Sequence, residues 1–130
     1  TALEANDIDS VYLLAPTTTD ERAAFVCSRS RGFVYYVSLK GTTGSLTLDI
    51  KDVRTKLARF RNISSLPVMV GFGISNAEIA TQVAEVADGV VVGSAIVKLM
   101  ADHCDNPAIG IQKVSDLMSG MRTGIDSIAS

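Results

Sequence analysis

The chain has little of what metal, redox and nucleic-acid proteins are built from. It holds 2 cysteines and 1 histidine in 130 residues. Cys27 and Cys104 stand far apart, with no Cys-x-x-Cys and no Cys/His cluster. That argues against a zinc site and leads us to expect two buried, reduced thiols. The lone His103 is expected on the surface near a helix end. Nor is there a basic excess: 12 Lys and Arg face 14 Asp and Glu, for a net charge of −2. This argues against a general nucleic-acid surface and against an anionic membrane surface. No apolar run approaches the ~20 residues of a membrane helix. No signal-peptide pattern opens the chain, so a cytoplasmic location is expected. A Walker Gly-x-x-x-x-Gly-Lys-Ser/Thr and a Rossmann Gly-x-Gly-x-x-Gly are both missing, which weakens nucleotide readings. No linker or low-complexity segment interrupts the sequence, so 1–130 reads as a single unit without internal boundary. The first residue is Thr1, followed closely by "SVYLLAP", and a piece of something longer is expected.

What is present is a regular alternation. Apolar residues make up 47% of the chain, and they concentrate in four short runs, over 11–15, 33–39, 68–71 and 89–92. Runs without polar alternation are the pattern of strands buried on both faces, which favours a parallel sheet. Helical patterns lie between them. Thr18 or Thr19 offers an N-cap before Asp20 and Glu21, and Ala23, Phe25, Val26 and Cys27 form an apolar face that ends near Gly32. Ile50, Val53, Leu57 and Phe60 recur at helical spacing, opposite Lys51, Arg54, Lys56 and Arg59. Ser75-Asn76-Ala77-Glu78 reads as a capping box before Ile79, Val83 and Val86. Ser94 is expected to cap a short helix over 95–100, and Asn106-Pro107 precedes a last one over 108–128. The order β-α-β-α-β-α-β-α-α demands right-handed crossovers and a parallel sheet. Two α/β architectures satisfy it: a four-stranded doubly wound sheet, or half of a (β/α)8 TIM-type barrel, since a full barrel needs about 250 residues.

The candidate chemistry lies at the strand ends. In parallel α/β folds, ligands gather beyond the carboxyl ends of the strands. Three of these ends carry glycine and small hydroxyls: Gly41-Thr42-Thr43-Gly44, Gly71-Phe72-Gly73 and Gly93-Ser94. Glycine lets backbone N–H groups approach an anion closely, and the first turn of a following helix offers unpaired donors at its positive end. The glycines are therefore expected to clear room for a phosphate held by main-chain donors, with the Ser94 hydroxyl adding to them. The segment 40–48 reads as a mobile connection after the second strand. Barrels frequently build a phosphate site from the loops after strands 7 and 8 plus a short extra helix. The short helix after Gly93, followed by a longer one, fits that description, which would make these four units the last four of eight.

In this order and at these spacings, "VYLLAPTTTDER", "RGFVYYVSLKGTTG", "PVMVGFGISNAE" and "DGVVVGSAIVK" resemble the C-terminal half of the tryptophan synthase alpha subunit. The resemblance runs from about Ser10 to the final helix. It implies a (β/α)8 barrel that cleaves indole-3-glycerol phosphate to indole and glyceraldehyde 3-phosphate in a retro-aldol step. It implies a partner beta subunit that carries pyridoxal phosphate and receives the indole, in a heterotetramer, with no cofactor on this chain. The compartment would be the cytoplasm, or the plastid stroma in a plant or alga. By matching motif positions, Gly44, Gly73, Gly93 and Ser94 would bind the phosphate. Phe72 would lie beside the ligand, Tyr35 would point into the pocket, and Thr43 would belong to a loop that closes over substrate.

The family's catalytic glutamate and aspartate have no counterpart here, because they belong to the N-terminal half of the barrel. Asp49, Asp52 and Glu78 read instead as solvated or capping residues. The chain alone is expected to bind phosphate weakly and to catalyse nothing. Its expected partners are the N-terminal half-barrel or a second copy of itself. Two other readings stay open: another phosphate-binding barrel enzyme, and a non-catalytic, self-associating half-barrel.

Overall fold

A computed structural model describes residues 2–38, 49–71 and 73–128. After a 3-10 turn at Glu4–Asn6, strands β1 (Leu13–Leu14), β2 (Val34–Val37), β3 (Val68–Gly71) and β4 (Gly89–Val91) alternate with helices α1 (Asp20–Arg29), α2 (Ile50–Arg61) and α3 (Ala77–Ala84). Helices α4 (Ser94–Asp102) and α5 (Pro107–Asp126) follow. The expected alternation is present, and the 68–71 run is a strand over its whole length.

The sheet is parallel throughout, in the order β1-β2-β3-β4. That order separates the two architectures. Each right-handed crossover steps in the same direction, so every helix lands on the same face. A doubly wound sheet would need the order to reverse. Burial agrees: Leu14, Val34, Tyr36, Val68 and Val70 form one core with Ala23, Val26, Val53, Leu57, Phe60, Ala80, Val83 and Met121. The opposite face carries Leu13, Tyr35, Met69 and Gly89 in one register row, then Val37, Gly71 and Val91 in the next. Leu13 is 62% exposed there. A singly wound sheet with one uncovered apolar face is the arc of half a (β/α)8 barrel.

Local signals explain the helix starts, and three expectations are corrected. Thr19 caps α1, its hydroxyl accepting from the Arg22 amide at 3.3 Å, and Asp49 caps α2 through the Asp52 amide at 3.1 Å. The cap of α3 is Asn76, which accepts from the Ile79 amide at 2.9 Å, and not Ser75. Asn76 has the extended backbone a cap requires (φ −150°, ψ 171°), so the helix starts one residue later than a box headed by Ser75 would allow. Phe25 does not join the core as its spacing implied; it is 52% exposed, between the guanidinium groups of Arg22 and Arg29. Cys27 is buried, whereas Cys104 is exposed beyond the end of α4, so only one of the two thiols is a core residue. His103 caps α4, its Nδ1 bonded to the Leu99 carbonyl at 2.9 Å.

Polar ties fix the helices to the sheet. The Asp88 carboxylate accepts from the Val68 amide at 2.9 Å and pairs with Arg61 at 3.2 Å, which links the start of β4 to β3 and α2. Arg59 pairs with Asp20 and donates to the Thr18 carbonyl at 3.0 Å. Tyr36 packs against Phe60, ring centres 5.7 Å apart. Its burial, together with the nearby Asp52 charge, pushes the phenol pKa from 10.0 up to about 12. Among the described residues no helix is long and apolar enough to cross a membrane.

Candidate functional site

Above the C-terminal ends of β2, β3 and β4, a hollow of about 160 Å³ is lined by Tyr35, Gly73, Ile74, Val91, Gly93 and Ser94. Four of the residues named from sequence therefore meet in one place. Thr43, Gly44 and Phe72 lie outside the described residues.

Each wall has a local cause. Gly73 sits at φ +75°, a left-handed turn that redirects the chain from β3 toward α3, and a Cβ there would meet nothing within 4 Å. Only glycine takes this conformation without steric cost. Gly93 is likewise open, exposed at the exit of β4. Gly71 has a different job from the one expected: a Cβ there would lie 2.0 Å from the Tyr35 hydroxyl. This glycine makes room for the tyrosine side chain, not for a ligand. The same device recurs in the next strand, where a Cβ on Gly89 would lie 2.4 Å from the Met69 sulfur. At the sheet's upper rim, Ser38 Oγ donates to the Gly71 carbonyl at 3.0 Å and holds β2 against β3.

The helix that opens at the hollow differs from its neighbours. The N-cap position of α4 is Gly93, with no side-chain cap, and Ser94 is the first helical residue, not the cap. The amides of Ile96 and Val97 turn back to the Gly93 carbonyl at 3.0 and 3.1 Å. The Ser94 and Ala95 amides come before the first intrahelical bond and have no acceptor within the helix. Helices α1, α2 and α3 each carry a side-chain cap and an acidic residue in the first turn, and α5 carries a cap from Asn106. Of these five, α4 alone has neither. Its dipole, worth about half a positive charge at this end, is neither capped nor neutralised locally. An anion seated there would complete the turn.

Sequence reasoning missed Ile74 and Val91 as walls of the hollow. Val91 was within reach, since it shares its sheet face with Gly89 by strand alternation. Ile74 lies between β3 and α3, where no periodic pattern indicates direction.

Comparison with known proteins decides the family. Residues 1–126 match the family model of the tryptophan synthase alpha chain. This chain belongs to that family. A relative from Marinobacter nauticus, also a tryptophan synthase alpha chain, is 48% identical over 122 residues, which are 94% of this chain and 45% of the relative. Among solved structures, the tryptophan synthase alpha chain of Legionella pneumophila superposes with a TM-score of 0.80 at 35% identity, over 98% of this chain and 46% of that one. Tryptophan synthase of Mycobacterium tuberculosis, in an aminoacrylate-bound form, gives 0.75 at 31% identity, over 95% and 43%. The chain thus spans about half the length of the tryptophan synthase alpha chains it matches.

Proposed function

We propose that this chain is the phosphate-binding half of a tryptophan synthase alpha-type lyase, which cleaves indole-3-glycerol phosphate to indole and glyceraldehyde 3-phosphate. One observation carries the reading: the uncapped, acid-free start of α4 opens into the hollow that Gly73, Gly93 and Ser94 share. Family membership over 1–126 supports the choice of substrate. The phosphate sits on the Ser94 and Ala95 amides, with the Ser94 hydroxyl as a further donor and Gly73 leaving its approach free. Gly44 contributes from the loop after β2, Phe72 lies beside the ligand, and Thr43 belongs to the part of that loop that closes over it. Tyr35, Ile74 and Val91 shape the side on which the indole end of the substrate extends.

Carbon–carbon cleavage needs a positioned acid and base. In this reading both carboxylates come from the other half of the barrel. Asp49 is occupied as the cap of α2, and Glu78 lies exposed in the first turn of α3. The chain itself needs no cofactor; indole passes to a beta subunit that carries pyridoxal phosphate.

The test is complementation. The chain is mixed with the N-terminal half of the Legionella pneumophila relative, and indole released from indole-3-glycerol phosphate is measured. Indole from the mixture, with none from either half alone, is the expected result. Silence from a mixture in which the two halves demonstrably bind each other would overturn the assignment. Ser94→Ala should weaken phosphate-ligand binding about tenfold, the loss of one hydrogen bond to a charged group.

A further inference from the structure

The hollow has two walls that arrive from different strands. One is the start of α4, with Gly93 and Ser94. The other is the turn after β3, which brings in Gly73 and Ile74. Helical bonds frame the first wall, since the Ile96 and Val97 amides both return to the Gly93 carbonyl. The turn has no such frame. Gly73 is exposed at φ +75°, and a residue as permissive as glycine does not define its own course. Something outside the turn must fix where it stands.

The two ends of the turn show what does. At its far end the Ile74 side chain is 3% exposed and packs into the core. At its near end the Gly71 carbonyl accepts from one residue twice. The Ser38 amide donates to it at 3.2 Å and the Ser38 hydroxyl at 3.0 Å. The amide bond continues the β2–β3 ladder; the hydroxyl bond is additional to it. A serine hydroxyl usually turns to its own or a nearby backbone group, whereas this one spans 33 positions of sequence. A carbonyl oxygen has two acceptor positions. With one taken, the peptide plane that leaves β3 can still tilt; with both taken it is held, and the whole plane follows its oxygen. Gly73 lies two residues further on. Every group in this tie belongs to the inner strands β2 and β3 or to the end of one of them, away from both edges of the sheet.

We propose that Ser38 is a positioning residue for the phosphate site, a role that rests on the phosphate reading of the hollow. Its hydroxyl, acting through the Gly71 carbonyl, sets the turn so that Gly73 borders the hollow together with Ser94. Amide shifts of the isotope-labelled chain, with and without glycerol phosphate, test this in Ser38→Ala, Ser38→Thr and Ser38→Val. Threonine and valine share one shape, so a difference between them reads the hydroxyl alone, even if Ser38→Ala loses its fold. Without ligand, Ser38→Ala and Ser38→Val should move the Gly73 and Ile74 amides and leave Ser94 and Ala95 in place, while Ser38→Thr matches the wild type. With ligand, loss of the hydroxyl should weaken glycerol phosphate binding about fivefold, the loss of one neutral hydrogen bond. It should also remove most of the Gly73 response while Ser94 and Ala95 still respond. Threonine and valine variants that behave alike would overturn the proposal, as would a loss spread equally over both walls. A wild-type chain whose Ser94 and Ala95 amides ignore glycerol phosphate would defeat the phosphate reading and this role with it. Unmoved Gly73 and Ile74 amides in Ser38→Val would defeat this role alone.

Discussion

Tyr35 and Tyr36 are neighbours in β2 that face opposite sides of the sheet, and the chain puts them to opposite uses. Tyr36 is 1% exposed and buried against Phe60. Its raised pKa has a definite consequence for stability. In the unfolded chain the phenol ionises near pH 10; in the folded protein it holds its proton until about pH 12. The folded state therefore binds the proton more tightly, and the stability this contributes is complete below pH 10 and lost as pH rises through 12. Tyr36→Phe should flatten that alkaline loss, read as the difference in urea midpoint between pH 9 and pH 11, roughly one unit either side of the unperturbed phenol. A variant as alkali-sensitive as the wild type would show that Tyr36 is not the group responsible. Across the sheet, Gly73 holds its left-handed turn. Gly73→Ala should cost roughly 1–2 kcal/mol of folding stability from backbone strain alone, measurable by urea denaturation.

At the scale of whole elements, α5 shows how spacing between helices decides the sign of a substitution. Gly124 packs so closely on α3 that an added Cβ would lie 2.2 Å from the Thr81 hydroxyl, which donates to the Ala77 carbonyl at 2.8 Å. Gly120, one turn earlier, would meet only the Ala77 methyl at an ordinary 3.9 Å. Gly120→Ala should therefore stabilise by about 0.5–1 kcal/mol, the helix-propensity gain. Gly124→Ala should destabilise by about 1–3 kcal/mol, because overpacking outweighs that gain. Thermal melts of the two variants check the opposite signs. The helix starts were mostly legible for the same local reasons: Thr19 and Asp49 have the right side chains directly before a periodic apolar run. They were misread where two capping residues stood together, as at Ser75 and Asn76, and where the cap was Gly93, which has no side chain to offer.

For the molecule as a whole, the alternation of strands and helices was readable because apolar runs and helical periods differ in length and spacing. The choice between a doubly wound sheet and a half-barrel was not readable from that alternation alone. It turns on which strand pairs with which; the short helix after Gly93 and the resemblance pointed toward the barrel, and the strand order decides it. Phe25 was misplaced for a related reason: its spacing matches the face that buries Ala23, Val26 and Cys27, yet its ring lies out between Arg22 and Arg29, near Tyr12. Gly71 could not be told from Gly73 by residue type, since the hydroxyl it accommodates comes from a different strand. What holds the account together is one place, the hollow where the turn after β3 meets the start of α4. Amide chemical shifts of the isotope-labelled chain, followed while glycerol phosphate is added, test it most directly. Saturable downfield shifts at Ser94 and Ala95, with smaller ones at Gly73 and Gly93 and none on adding glycerol alone, are what the account predicts. Shifts confined to residues elsewhere, or no shifts at those amides at saturating phosphate, would contradict it.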